Sequence, residues 1–123
     1  RGGGGGGGAK IFNASKLLVE TLKARRDAGL WIGAICASPA LVLHANALLP
    51  EKATCYPSLQ KTISKSVRDA SDLEKRVVVD ERAKVVTSQG PGTTLEFACQ
   101  IVAVLKGKNV ASKVASGLLL PSL

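Results

Sequence analysis

Cys36 is the residue whose neighbours best suit it for chemistry. It closes a short apolar run, Leu30-Trp31-Ile32-Gly33-Ala34-Ile35, and is followed at once by Ala37-Ser38-Pro39-Ala40. The run reads as a buried strand, and Pro39 suits the first position of a helix, where its missing N–H is not needed. A cysteine at such a junction faces the free N–H groups and positive dipole end of the helix. Both favour the thiolate, the form that attacks electrophiles and peroxides. A tight strand-to-helix turn also lifts the sulfur out of the sheet, as in a nucleophile elbow, and aims the Ala37 N–H at an oxyanion formed on an attacked carbonyl. The same pattern equally suits a small apolar residue that only fills a core.

The other candidate groups are fewer. Cys55 and Cys99 complete an odd set of three cysteines with no CxxC pair. Neither a disulfide framework nor a zinc site is therefore expected, and a reducing, cytoplasmic setting is the simplest. Cys55, beside Tyr56, either lies near Cys36 and modulates it or is a strand residue that fits. Cys99 shares a helix with Phe97 and is expected to be buried and inert. His44 is the one histidine; it reads as a surface or structural group, and no metal centre is expected from this segment.

The elements that must position these groups follow from the pattern. Gly2 to Gly8 has no side chains and by composition forms neither a stable helix nor a strand. Asn13 caps a predicted helix running to about Ala28, with Leu17, Leu18 and Leu22 on its buried stripe and Gly29 as its stop. The helix after Cys36 is expected to run to about Leu49, before Pro50. Residues 53–56 read as a second short strand, and residues 58–74 as a polar stretch of short helix and loop. Val77-Val78-Val79 and Lys84-Val85-Val86-Thr87 predict a hairpin. Thr93 and Glu96 have capping-box spacing, with Glu96 reaching back to the cap backbone. The helix they open carries Phe97, Ile101, Val104 and Leu105 inward to Gly107. A last helix covers about Val110 to Ser116, before Leu118-Leu119-Leu120. Helices alternating with strands imply an α/β layered fold.

Composition excludes several classes. The chain is 46% hydrophobic, so it can bury a core, yet no apolar run is long enough to cross a bilayer. The formal charge of +8 raises the question of nucleic acid. The basic residues, however, lie in small scattered groups without the interleaved aromatics of a base-stacking surface. Neither nucleic acid nor membrane is an expected partner.

Two separated motifs carry a resemblance. Ala34-Ile35-Cys36-Ala37-Ser38-Pro39-Ala40 resembles the nucleophile motif of the ThiJ/PfpI family. Thr87-Ser88-Gln89-Gly90-Pro91-Gly92-Thr93-Thr94, followed by Glu96-Phe97-Ala98, resembles that family's second signature. Lys75-Arg76-Val77-Val78-Val79-Asp80 and Val114-Ala115-Ser116 are similar to bacterial members of its Parkinson-associated, glyoxalase III-like deglycase branch. The similarity runs from Gly4 to Leu120.

The resemblance implies a flavodoxin-like three-layer α/β sandwich, with residues 1–123 as the larger C-terminal portion of a single domain. It implies that Cys36 is the nucleophile. It matches Gly4-Gly5 and Gly8-Ala9 to a glycine loop in which the Gly5 N–H is the second oxyanion donor beside Ala37. It places Gly90 and Pro91 near the nucleophile and a homodimer contact, with Cys55 and Tyr56 as possible site neighbours. Tyr56 stands where many members have His. The implied activity is a cofactor-independent glyoxalase or deglycase acting on methylglyoxal and related carbonyls, with a role in oxidative stress. A redox sensor or chaperone signalling through Cys36 oxidation is the alternative. A peptidase is disfavoured, because that branch carries His where this chain has Ala37. The implied general acid/base is a glutamate of an N-terminal segment holding the first strands, expected as a missing part or a second polypeptide.

Overall fold

The computed structural model describes residues 5–117, with side chains from residue 16 onward. Helix α1 spans Gly5–Asp27. It closes where Gly29 takes a left-handed φ of 70° and the Leu30 N–H returns to the Arg25 carbonyl at 2.9 Å. Glycine meets this conformation without the Cβ penalty, which is why the chain turns there. The Arg25 guanidinium donates to the Trp31 carbonyl at 2.9 Å and ties the helix end to the strand that follows.

Three strands form the sheet: β1 (Ile32–Ile35), β2 (Val77–Asp80) and β3 (Val85–Ser88), in the order β1-β3-β2. Strand β1 runs parallel to β3, with Ile32 opposite Val85 and Ile35 opposite Ser88. The β2–β3 hairpin is antiparallel, as its sequence predicts. All four residues of central β3 are buried. Alternation along β1 sends Ile32 and Ala34 to one face, where they pack with Leu43, Leu48, Val85 and part of Leu22. Gly33 looks the other way. A Cβ there would come within 3.1 Å of both Ile101 and Phe97, so the missing side chain lets helix α3 (Thr94–Lys106) lie directly on the strand. Helix α4 (Lys108–Gly117) packs beside α3. With helices on both faces of the sheet, the fold is α/β and flavodoxin-like.

Several expected boundaries shift. Helix α1 begins at Gly5, within the glycine run and ahead of Asn13. Leu17 and Leu18 are 65% and 48% exposed, leaving Leu22 as the residue of that stripe that reaches the core. Residues 53–56 are extended and largely buried but join no ladder. The Thr54 N–H instead finds the Thr87 hydroxyl at 2.9 Å, a side chain taking the place of a neighbouring strand's carbonyl. The helix after Cys36 is a π-helical turn, Pro39–Leu43, followed by a 3-10 turn, His44–Asn46. It stops short of Leu49 because Ala47 turns left-handed, with φ 57°. Residues 57–74 form short turns, one of them α2 (Gln60–Ile63). On α3, Leu105 faces solvent and Cys99 is the buried residue. The segment Leu118-Leu119-Leu120 lies outside the described residues. Among the described residues, no helix is long and apolar enough to cross a membrane.

Candidate active site around Cys36

Cys36 leaves β1 in a left-handed conformation, with φ 64°. For a residue with a Cβ this costs on the order of 1–3 kcal/mol and persists only where the surroundings hold it. Here the backbone is held on both sides. The Cys36 N–H donates to the Ser88 carbonyl at 3.2 Å, continuing the β1–β3 pairing by one residue. Its carbonyl accepts the Tyr56 N–H at 2.7 Å. The side chain, half-buried, thus stands at the end of the parallel pair with one face toward solvent. Strand β1 thus gives way directly to a turn at Cys36.

Ala37 opens the turn. Its carbonyl accepts from Ala40 and Leu41, at 3.1 and 2.8 Å. Among the described residues its N–H donates to no backbone carbonyl. The helical segment beyond it is shorter than expected, so its dipole adds little. Gly5 opens α1, where first-turn N–H groups lack helical acceptors. Its contacts, like Gly4 itself, lie outside the described residues.

Cys55 is fully buried and adjoins Cys36 through the Tyr56 hydrogen bond. Its thiol donates to the Tyr56 carbonyl at 3.5 Å. Burial, and secondarily the charge of Cys36, push it up to about 11. Tyr56 is partly exposed and lies against Gly90; a Cβ on Gly90 would sit 3.3 Å from the Tyr56 ring. Between them is a cleft of about 220 Å³ lined also by Arg76, Gln89 and Pro91. The structure therefore gathers Cys36, Cys55, Tyr56 and Gly90-Pro91 into one neighbourhood. Cys99 is buried on α3, and the polar neighbour of His44 is Ser66, at 3.4 Å. Among the described residues no three His, Cys, Asp or Glu side chains cluster as metal ligands.

Glu96 does not cap α3. Its carboxylate takes a two-pronged contact from Arg76, at 2.8 Å from Nε and 2.7 Å from Nη2, which holds it below the usual carboxylate range. Arg76 also reaches the Gly92 carbonyl. Thr93 occupies the N-cap position of α3 without a side-chain cap bond; its hydroxyl instead accepts the Gly90 N–H at 3.1 Å and meets the buried Ser88 hydroxyl at 2.6 Å. Sequence reasoning assigned no role to Arg76 or Ser88. The one available signal was Thr87-Ser88, two hydroxyls ending an otherwise apolar strand.

A profile of the DJ-1/PfpI family matches residues 3–104. The chain belongs to this family. It is 43% identical over 101 residues to the Protein DJ-1 homolog B of Arabidopsis thaliana, covering 81% of this chain and 22% of the relative. It is 39% identical over 88 residues to the glutathione-independent glyoxalase DJR-1.2 of Caenorhabditis elegans, covering 72% of this chain and 45% of that protein. Among solved structures, the oxidized DJ-1 of Toxoplasma gondii superposes with a TM-score of 0.75 at 41% identity, over 84% of this chain and 53% of the other. Drosophila melanogaster DJ-1beta gives a TM-score of 0.75 at 37% identity, over 96% and 61%. The chain thus spans well under two-thirds of the length of each of these relatives.

Proposed function

We propose that this chain carries the nucleophile of a cofactor-independent glyoxalase or deglycase acting on methylglyoxal and related reactive carbonyls. The observation that carries the reading is Cys36 itself, a half-buried thiol in a strained left-handed turn at the end of a buried strand. The C. elegans relative named as a glyoxalase supports the substrate class. The Cys36 thiolate adds to the aldehyde carbon, forming a C–S bond and placing the charge on the hemithioacetal oxygen. The N–H groups of Ala37 and Gly5 hold that oxygen. A carboxylate on an N-terminal segment of the same protein then moves the proton that carries the adduct toward lactate. That segment, and a second copy of the chain meeting near Gly90 and Pro91, are the partners in this reading, and the setting is a cytoplasmic response to oxidative stress.

A second reading, a redox sensor or chaperone signalling through Cys36, is favoured by the same accessible thiol and by a Toxoplasma gondii neighbour described as oxidized. Methylglyoxal consumption with lactate formation separates the two. Under the first reading, Cys36→Ser abolishes turnover, because a hydroxyl there is far less nucleophilic at neutral pH, whereas Cys99→Ser retains it. Equal loss from both substitutions would discard Cys36 as the nucleophile.

A further inference from the structure

Catalysis as proposed uses one thiol, yet a second lies beside it. The Tyr56 N–H donates to the Cys36 carbonyl at 2.7 Å, and Cys55 is the residue joined to that nitrogen. With standard bond lengths and angles each Cα lies about 2.4 Å from its carbonyl oxygen or from the next nitrogen, so the two cysteine Cα atoms are within about 7.5 Å, a limit reached only if Cα, oxygen, nitrogen and Cα fall on one line. Any bend shortens it toward the span of roughly 4.4–6.8 Å that a disulfide bridges without distortion. We propose that Cys36 and Cys55 form a reversible intramolecular disulfide when the protein meets a hydroperoxide, with Cys36 as the attacking thiol and Cys55 as the resolving one.

The steps balance. The Cys36 thiolate attacks one peroxide oxygen; the O–O bond breaks, the leaving oxygen takes a proton as water or alcohol, and the sulfur becomes a sulfenic acid. The Cys55 sulfur then attacks the sulfenyl sulfur. The S–S bond forms, the S–O bond breaks, and the departing hydroxide leaves as water with the Cys55 proton. Two thiols are oxidised by two electrons and one hydroperoxide is reduced; an external dithiol reverses the bond.

The surroundings divide these labours. Cys36 is accessible, whereas Cys55 is fully buried, so a peroxide in solution meets Cys36 first. Burial and the charge of Cys36 both keep the Cys55 thiol protonated and quiet. Cys99, on α3, is buried as well but has no hydrogen-bonded link to Cys36.

The inference rests on the reading of Cys36 as the reactive thiol, and the test separates the two. The protein is treated with hydrogen peroxide, its free thiols are blocked under denaturing conditions, and its peptides are mapped without reduction. A Cys36–Cys55 linked peptide that dithiothreitol removes is expected. With Cys55→Ala, Cys36 should reach the sulfinic acid at a peroxide dose about tenfold lower, having lost its resolving partner. Cys36→Ala should leave Cys55 reduced. If Cys36 oxidises first but stays unlinked, at the same dose with or without Cys55, the disulfide is overturned and the reactive Cys36 stands. If Cys99 or Cys55 gains oxygen before Cys36, both fall.

Discussion

At Cys36 the backbone and the chemistry can be separated by substitution. Cys36→Ala and Cys36→Gly both delete the thiol, but only glycine accepts a φ of 64° without strain. The glycine variant is expected to be more stable than the alanine variant by about 1 kcal/mol, read from denaturant midpoints, while both lack turnover. Equal stabilities would mean that the left-handed turn stores no strain. The sequence announced the turn through an apolar run ending in Cys-Ala-Ser-Pro. It did not announce the clamp from Ser88 and Tyr56, because both contacts come from segments distant in sequence. Cys55 shows the same limit: its neighbour in the chain was visible, whereas its nearness to Cys36 was only one of two readings the sequence left open.

Between elements, the Arg76–Glu96 pair joins the start of the β2–β3 hairpin to the first turn of α3. Glu96 is held below its ordinary value mainly by hydrogen bonding from Arg76. A carboxylate so depressed contributes stability that is present above the unfolded value and is lost as pH falls through the folded one. Glu96→Gln should therefore melt below the parent at neutral pH, and the gap should close through the acid range. A gap constant with pH would show that the charge is irrelevant. The spacing of Thr93 and Glu96 suggested a capping box because local pattern alone was available; the guanidinium that wins Glu96 lies twenty residues back, at Arg76. Gly33 has a packing role of the same non-local kind. Gly33→Ala should cost about 1 kcal/mol by forcing Phe97 and Ile101 away from β1, measurable as a lowered denaturant midpoint.

For the molecule as a whole, the α/β class and the hairpin were legible because their signals are local: short continuous apolar runs and glycine stops. The helix boundaries were less so. A π-helical turn and an interrupted 3-10 turn have the same composition as an α-helix, and only the packing of Ala40 and Leu43 distinguishes them. Leu17, Leu18 and Leu30 are exposed along α1 and its turn into β1, and the described residues provide no strand on the outer edge of β1. If an N-terminal segment covers this side, residues 1–123 produced alone should self-associate on size-exclusion chromatography, through that edge and those leucines. Co-expression with the segment should return a defined species. A stable monomer of residues 1–123 would remove the need for such a cover.

The parallel pairing of Ile32 with Val85 has a kinetic consequence. Contacts between residues so far apart must close a long loop before they gain anything, and such pairings form late and slowly. One clamp on Cys36 depends on that closure directly through Ser88, and the segment that bears the other, at Tyr56, is tied to β3 by the Thr54–Thr87 hydrogen bond. During refolding the thiol is therefore an ordinary one until the last non-local contacts are made. On the reading of Cys36 proposed above, the onset of its reactivity toward a carbonyl or a peroxide becomes a clock for the completion of folding.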